Sequence, residues 1–127
     1  MLIYAYLMMM TDNVKKAEEL LLKVVVEVNA SQSIFIFALI IFILVKAYDY
    51  LGMIKEKQKS YSEACSFYEK AWEFSNKNNA NIGYKLGACY LNNRNSVKAV
   101  NICNEIKKKF KDYPIDELAN QAKNSLT

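Results

Sequence analysis

The sequence predicts an all-α fold built from stacked helix pairs, and three observations carry that prediction. Small and apolar residues recur 35 positions apart: Gly52 and Gly87, Leu51 and Leu86, Ala64 and Ala99, Tyr68 and Cys103. Within each unit a small residue is followed twelve positions later by alanine, as in Gly52 to Ala64, Gly87 to Ala99 and Ala5 to Ala17. Turn formers are scarce: 3 Gly and 1 Pro in 127 residues are too few for a β fold rich in tight turns. A period near 34 residues with small residues at these offsets is the pattern of a tetratricopeptide-type helix-turn-helix solenoid. The expected architecture is one domain over residues 1–127, with about three repeats and a C-terminal capping helix.

The reason for small residues is steric. At the crossing of helix A with helix B they let the backbones approach, while bulkier neighbours fill the groove. The first unit spans predicted helices at 2–10 and 14–28 and contributes Ala5 and Ala17. In the second, a helix over 36–57 carries Tyr48, Leu51 and Gly52, and a helix over 61–76 carries Ala64, Tyr68 and Ala71. Ser60-Tyr61-Ser62-Glu63 reads as a capping box opening that second helix. Asn76–Asn81, all polar but for one alanine, marks the break before the third unit.

The third unit pairs helices at 80–92 and 95–110, with Leu86, Gly87 and Tyr90 facing Ala99, Cys103 and Ile106. Asn92–Ser96 forms the turn between them. Lys107, Lys108, Lys109 and Lys111 crowd the end of the last repeat helix, where cations complement the helix dipole. Pro114 suits the first turn of a final helix over 114–125. Its apolar stripe of Ile115, Leu118, Ala119 and Ala122 would cover the last repeat's open groove.

One block breaks the period. Ile34–Val45 is twelve residues without a polar side chain, and the distance from the first unit to the second, Ala5 to Gly52 or Ala17 to Ala64, exceeds the period by twelve. Removing the block restores a uniform repeat. It falls short of the roughly 20 apolar residues that span a bilayer, and it lies too far into the chain for a signal peptide. As a helix running back from Lys46 it would project about 18 Å beyond its repeat at about 1.5 Å per residue. An uncovered apolar arm of that kind predicts exposure and poor solubility. Eleven of its twelve residues, all but Ala38, have codons with T in the middle position, which fits translated intron.

Composition excludes several functions. There is no histidine, so neither Ser-His-Asp chemistry nor a His-containing metal site is available. Cys65, Cys89 and Cys103 are odd in number and unclustered, which reads as reduced core residues and not as a disulfide framework or zinc site. No glycine-rich phosphate loop occurs, and carboxylates such as Glu63, Glu69 and Glu73 sit at surface-like spacing. Seventeen basic against 13 acidic residues give +4, well below a nucleic-acid binder's footprint. The expectation is a non-enzymatic interaction module with no cofactor, no metal, no nucleic-acid partner and no small-molecule substrate. Tyr50 and Tyr84, aromatics on its inner helices, are expected to serve packing more than contact with a partner. Membrane contact would follow only from exposure of Ile34–Val45, as in a small membrane-associated adaptor.

Beyond the generic repeat, Lys46–Gly52 (KAYDYLG), Tyr68–Asn76 (YEKAWEFSN), Gly83–Leu91 (GYKLGACYL), Ile102–Ile106 (ICNEI) and Tyr113-Pro114 carry a more specific pattern, as do Lys16–Leu21 (KAEELL). Together they resemble the C-terminal end of the tetratricopeptide repeat protein 21 family, long repeat subunits of intraflagellar transport particle A. The resemblance covers about residues 1–33 and nearly all of 46–127, and Ile34–Val45 has no counterpart in it. It implies that this chain is the C-terminal piece of a longer solenoid. It further implies other particle A subunits as partners, a role in retrograde ciliary transport and cilium assembly, and a place in the cytoplasm, the cilium or flagellum and its basal body.

Overall fold

The computed structural model describes residues 30–126, with side chains from Ile34 onward. All regular structure among these residues is helical: α1 (Ala30–Lys57), α2 (Tyr61–Phe74), α3 (Ala80–Asn92), α4 (Ser96–Lys109) and α5 (Asp116–Asn124). Each helix packs on the next in chain order, and α5 also touches α3. The expected helices at 2–10 and 14–28, with Ala5 and Ala17, lie outside the described residues.

The two turns within hairpins are built alike. After α1, Lys59 takes a left-handed conformation (φ 61°) and the Ser60 amide donates to the Lys55 carbonyl at 2.9 Å. Thirty-five residues later, Arg94 repeats the conformation (φ 61°) and the Asn95 amide donates to the Tyr90 carbonyl at 2.8 Å. This is a Schellman-type closure, which satisfies carbonyls left open at a helix end. After α2, the Lys77 amide makes the same reach to Trp72, with Asn76 and Lys77 both left-handed. None of these residues is glycine; the glycines sit inside helices.

Their place is dictated by close approach. A Cβ on Gly52 would come within 2.6 Å of the Tyr68 ring across the first hairpin. A Cβ on Gly87 would meet Ile102 and Leu118 at 3.2 Å and Cys103 at 3.8 Å. Gly83 faces Trp72 and Ile106 in the same way. Around these contacts Tyr48, Leu51, Ala64, Tyr68, Ala71, Leu86, Tyr90, Ala99, Cys103 and Ile106 are all buried. Tyr48 stacks on Phe74, with ring centroids 5.7 Å apart and planes within 4°.

Four expectations need correction. The second unit's first helix begins at Ala30, not at 36, so the apolar block is helical from end to end. Its last two residues, Leu44 and Val45, are buried in the core and Ile40 and Ile41 are half-buried against it, so the fully uncovered arm is Ile34–Leu39 and not the whole block. The capping box at Ser60 does not form: Ser60 makes no side-chain cap bond, and its own amide, which Glu63 would accept from, donates instead to the Lys55 carbonyl. Glu63 instead reaches Lys55 across the hairpin at 3.0 Å. Asparagines supply caps at the next two helices, Asn79 Oδ1 accepting from the Ile82 amide and Asn95 Oδ1 from the Lys98 amide, both at 3.2 Å. Finally, Pro114 precedes the last helix, which starts at Asp116. Ile115, Leu118, Ala119 and Ala122 nonetheless form one buried stripe against the last repeat.

Candidate interaction surface

The inner helices of the two hairpins are α1 and α3, and polar contacts join them. Lys85 on α3 donates to both carboxylate oxygens of Asp49 on α1, at 3.0 and 3.2 Å, and lies 3.8 Å from the Met53 sulfur. Glu56, one turn on from Met53, has its carboxyl raised above the usual range by burial, more than Lys85 and Tyr68 lower it. Beside this bridge Tyr50 and Tyr84 stay exposed on the two helices. Tyr84 also meets the Tyr113 ring at 6.3 Å, and the Tyr113 hydroxyl donates to Asn81 Oδ1 at 3.1 Å. Tyr84, Tyr113 and Asn81 thus form one small aromatic and amide cluster, and Tyr50 stands exposed on α1.

The opposite side is also polar but closed on itself. Tyr90 donates to Glu69 Oε1 at 2.6 Å, and burial with that bond holds its phenol well above the ordinary range. Lys98 sits over the Tyr90 ring and 4.0 Å from Glu69. Lys109, in the basic helix end, donates to the Lys77 carbonyl at 2.8 Å and so ties α4 to the break between units. Lys107 pairs with Asp116 at 3.1 Å. Two of the four clustered lysines therefore have structural partners.

The three cysteines are buried and free. Cys89 Sγ lies 3.4 Å from the Tyr61 carbonyl, and its thiol is held far above the ordinary range by its hydrogen bond to Cys65 and by burial. Burial likewise raises Cys103. Cys65, the partner of Cys89 in that bond, is lowered by it, against the opposing effect of its own burial. No group of three or more His, Cys, Asp or Glu among the described residues is arranged to hold a metal ion.

Sequence reasoning missed one feature. Phe37, Ile41, Phe42 and Val45 of α1 stand apart from Phe74, Asn79 and Ile82 and enclose a groove of about 830 Å³. It exists because α1 overshoots the α2–α3 turn, and its upper wall is the inserted block. The signal was present in the block's helical length; what could not be read was which neighbours would flank it.

Comparison with known proteins bears on the whole surface. The family model described as the tetratricopeptide repeat protein 21 C-terminal ARM domain matches residues 1–117. Human tetratricopeptide repeat protein 21A is 41% identical over 83 residues, 64% of this chain and 6% of that protein. Tetratricopeptide repeat protein 21B of Xenopus laevis is 41% identical over 69 residues, 54% of this chain and 5% of that protein. The Caenorhabditis elegans homolog is 32% identical over 69 residues, again 54% of this chain and 5% of its own length. The chain thus corresponds to only a small part of each curated relative.

Proposed function

This chain belongs to the tetratricopeptide repeat protein 21 family, as its C-terminal ARM domain, and from that premise we propose that it is a non-enzymatic scaffold piece that binds another protein along α1 and α3. The observation that carries this reading is the exposure of Tyr50 and Tyr84, the chain neighbours of the two residues that form the Lys85–Asp49 bridge. Exposed aromatics beside fixed polar groups are the residue types that anchor protein interfaces. The partners proposed, from the family resemblance, are other subunits of intraflagellar transport particle A. The setting is retrograde transport and cilium assembly, in the cytoplasm, the cilium or flagellum and its basal body.

The experiment is co-purification of tagged full-length chain with particle A subunits from ciliated cells. Tyr50→Ala with Tyr84→Ala is expected to abolish recovery while leaving helicity and Tm unchanged. Equal recovery with the double variant would remove this surface from consideration.

A second reading rests on a different observation. Ile34–Lys57 is long and apolar enough, by length and composition, to cross a membrane. A span there would withdraw Leu44, Tyr48, Leu51 and Gly52 from the core they now fill. We therefore place the membrane-anchored adaptor second. Retention in the membrane fraction after high salt and carbonate would reverse the order.

A further inference from the structure

The joint between the two hairpins brings two thiols together. Cys65 on α2 and Cys89 on α3 are twenty-four residues apart in sequence, and both are buried. Cys89 Sγ lies 3.4 Å from the Tyr61 carbonyl. That carbonyl is one helical turn before Cys65, whose amide bonds it in the regular pattern of α2. The Cys89 sulfur is therefore held against the turn that carries Cys65, and the two thiols share a hydrogen bond. The single Cys89 proton thus has two acceptors in reach, the Tyr61 carbonyl and the Cys65 sulfur.

Packing alone does not call for sulfur at either place. One period on, the Cys65 position is Val100; one period back, the Cys89 position is Ile54. Branched aliphatic side chains serve the equivalent sites. Cys103 marks the contrast, for it packs over Gly87 and burial alone governs its thiol. Cys65 keeps 4% of its surface open and Cys89 none, so a water-sized oxidant meets Cys65 first. The hydrogen bond from Cys89 also favours the Cys65 thiolate, the form that attacks peroxides. Lys98 assists it, while burial and the carboxylates of Glu69 and Glu56 oppose it.

We propose that Cys65 and Cys89 are a redox pair, which a hydroperoxide converts reversibly into a disulfide pinning α2 of one hairpin to α3 of the next. The Cys65 sulfur attacks one peroxide oxygen and the O–O bond breaks. Cys65 becomes a sulfenic acid, and its proton leaves with the other oxygen as water or an alcohol. The Cys89 sulfur then attacks the Cys65 sulfur, the S–O bond breaks, and the Cys89 proton departs with the hydroxide as water. The two sulfurs together lose two electrons, and the peroxide gains them. A low-molecular-weight thiol reverses the step by disulfide exchange. The bond would fix one hairpin against the next without using a residue of either exposed inner face.

The test uses the full chain, reduced and folded, with hydrogen peroxide as the probe. Remaining thiols are then blocked under denaturing conditions and the peptides are mapped by mass. The expected product is one intrachain disulfide between Cys65 and Cys89, reversed by dithiothreitol, with Cys103 recovered as a blocked thiol. Linkage through Cys103, linkage only between chains, sulfinic acid at Cys65 without linkage, or no reaction under conditions that link the urea-unfolded chain overturns the proposal. A second measurement assigns the roles. Cys65→Val, which installs the residue of the next unit, is expected to slow oxidation of Cys89 at least tenfold. Cys89→Ala is expected to leave Cys65 as a sulfenic acid that dimedone captures. Undiminished oxidation of Cys89 in the first variant, or no dimedone adduct in the second, overturns it.

Discussion

The two halves of α1 are one continuous helix with opposite fates. From Leu44 to Gly52 it fills a core, with Tyr48 and Leu51 almost inaccessible; from Ile34 to Leu39 it is apolar and bare, with Phe35 77% exposed. Hydrophobicity does not separate them, since the bare half is the more apolar. What separates them is counterpart residues. The lower half faces Ala64, Tyr68 and Ala71 of α2, and small and large side chains alternate across that contact. The upper half overshoots the α2–α3 turn. Burial is thus set by complementary neighbours at the repeat period, and a greasy sequence without them stays helical but uncovered.

The strongest way to break this contrast is to cut a large side chain from the packed region. Trp72→Ala, which empties the space against Gly83, is expected to cost about 3–5 kcal/mol in chemical denaturation. Gly52→Ala comes next. The added methyl group would press on a Tyr68 ring that has no free space, and a loss of about 1–3 kcal/mol in the same experiment is expected. Caps sharpen the comparison between hairpins. Asn95→Ala is expected to cost about 1 kcal/mol, and Ser60→Ala a few tenths at most, because only Asn95 makes its cap bond. In the bare half, Phe35→Ser is expected to leave stability within about 0.5 kcal/mol while raising the soluble fraction on expression.

The smallest effect is electrostatic. Burial raises the folded-state pKa of Glu56, so its contribution to stability is fully present below the unfolded-state pKa and is lost as pH rises through the folded one. At neutral pH its charge is therefore a penalty. Glu56→Gln is expected to raise Tm slightly at pH 7, with the gain vanishing under acid. A gain that persists at low pH would point away from ionisation as its cause.

Much of the fold was legible because the repeat is written in side chains whose size matters. Gly52 and Gly87 recur at the period of the backbone, and each faces, sixteen residues later, the position filled by Tyr68 or Cys103. The break at Asn76–Asn81 and the stripe on α5 followed from polarity alone. Capping was less legible. Asn79, Asn95 and Ser60 all have capping side chains, yet Ser60 makes no cap bond although Asn95, after the same kind of reversal, does. The left-handed residues were also hidden, since lysine and arginine occupy positions where glycine would have signalled a reversal. Of the interaction surface, Tyr50 and Tyr84 were expected from sequence to pack, and their exposure is visible only in the structure. Their juxtaposition with the Lys85–Asp49 bridge could not be read either, because thirty-six residues separate its ends.

A stack of like hairpins is in effect a one-dimensional crystal, and α1 is a column taller than its lattice site. Leu44 to Gly52 fills that site, while Ile34–Leu39 stands clear of it. A ligand lying along α1 and α3 would meet polar ground at the Lys85–Asp49 bridge and a bare apolar post at one end.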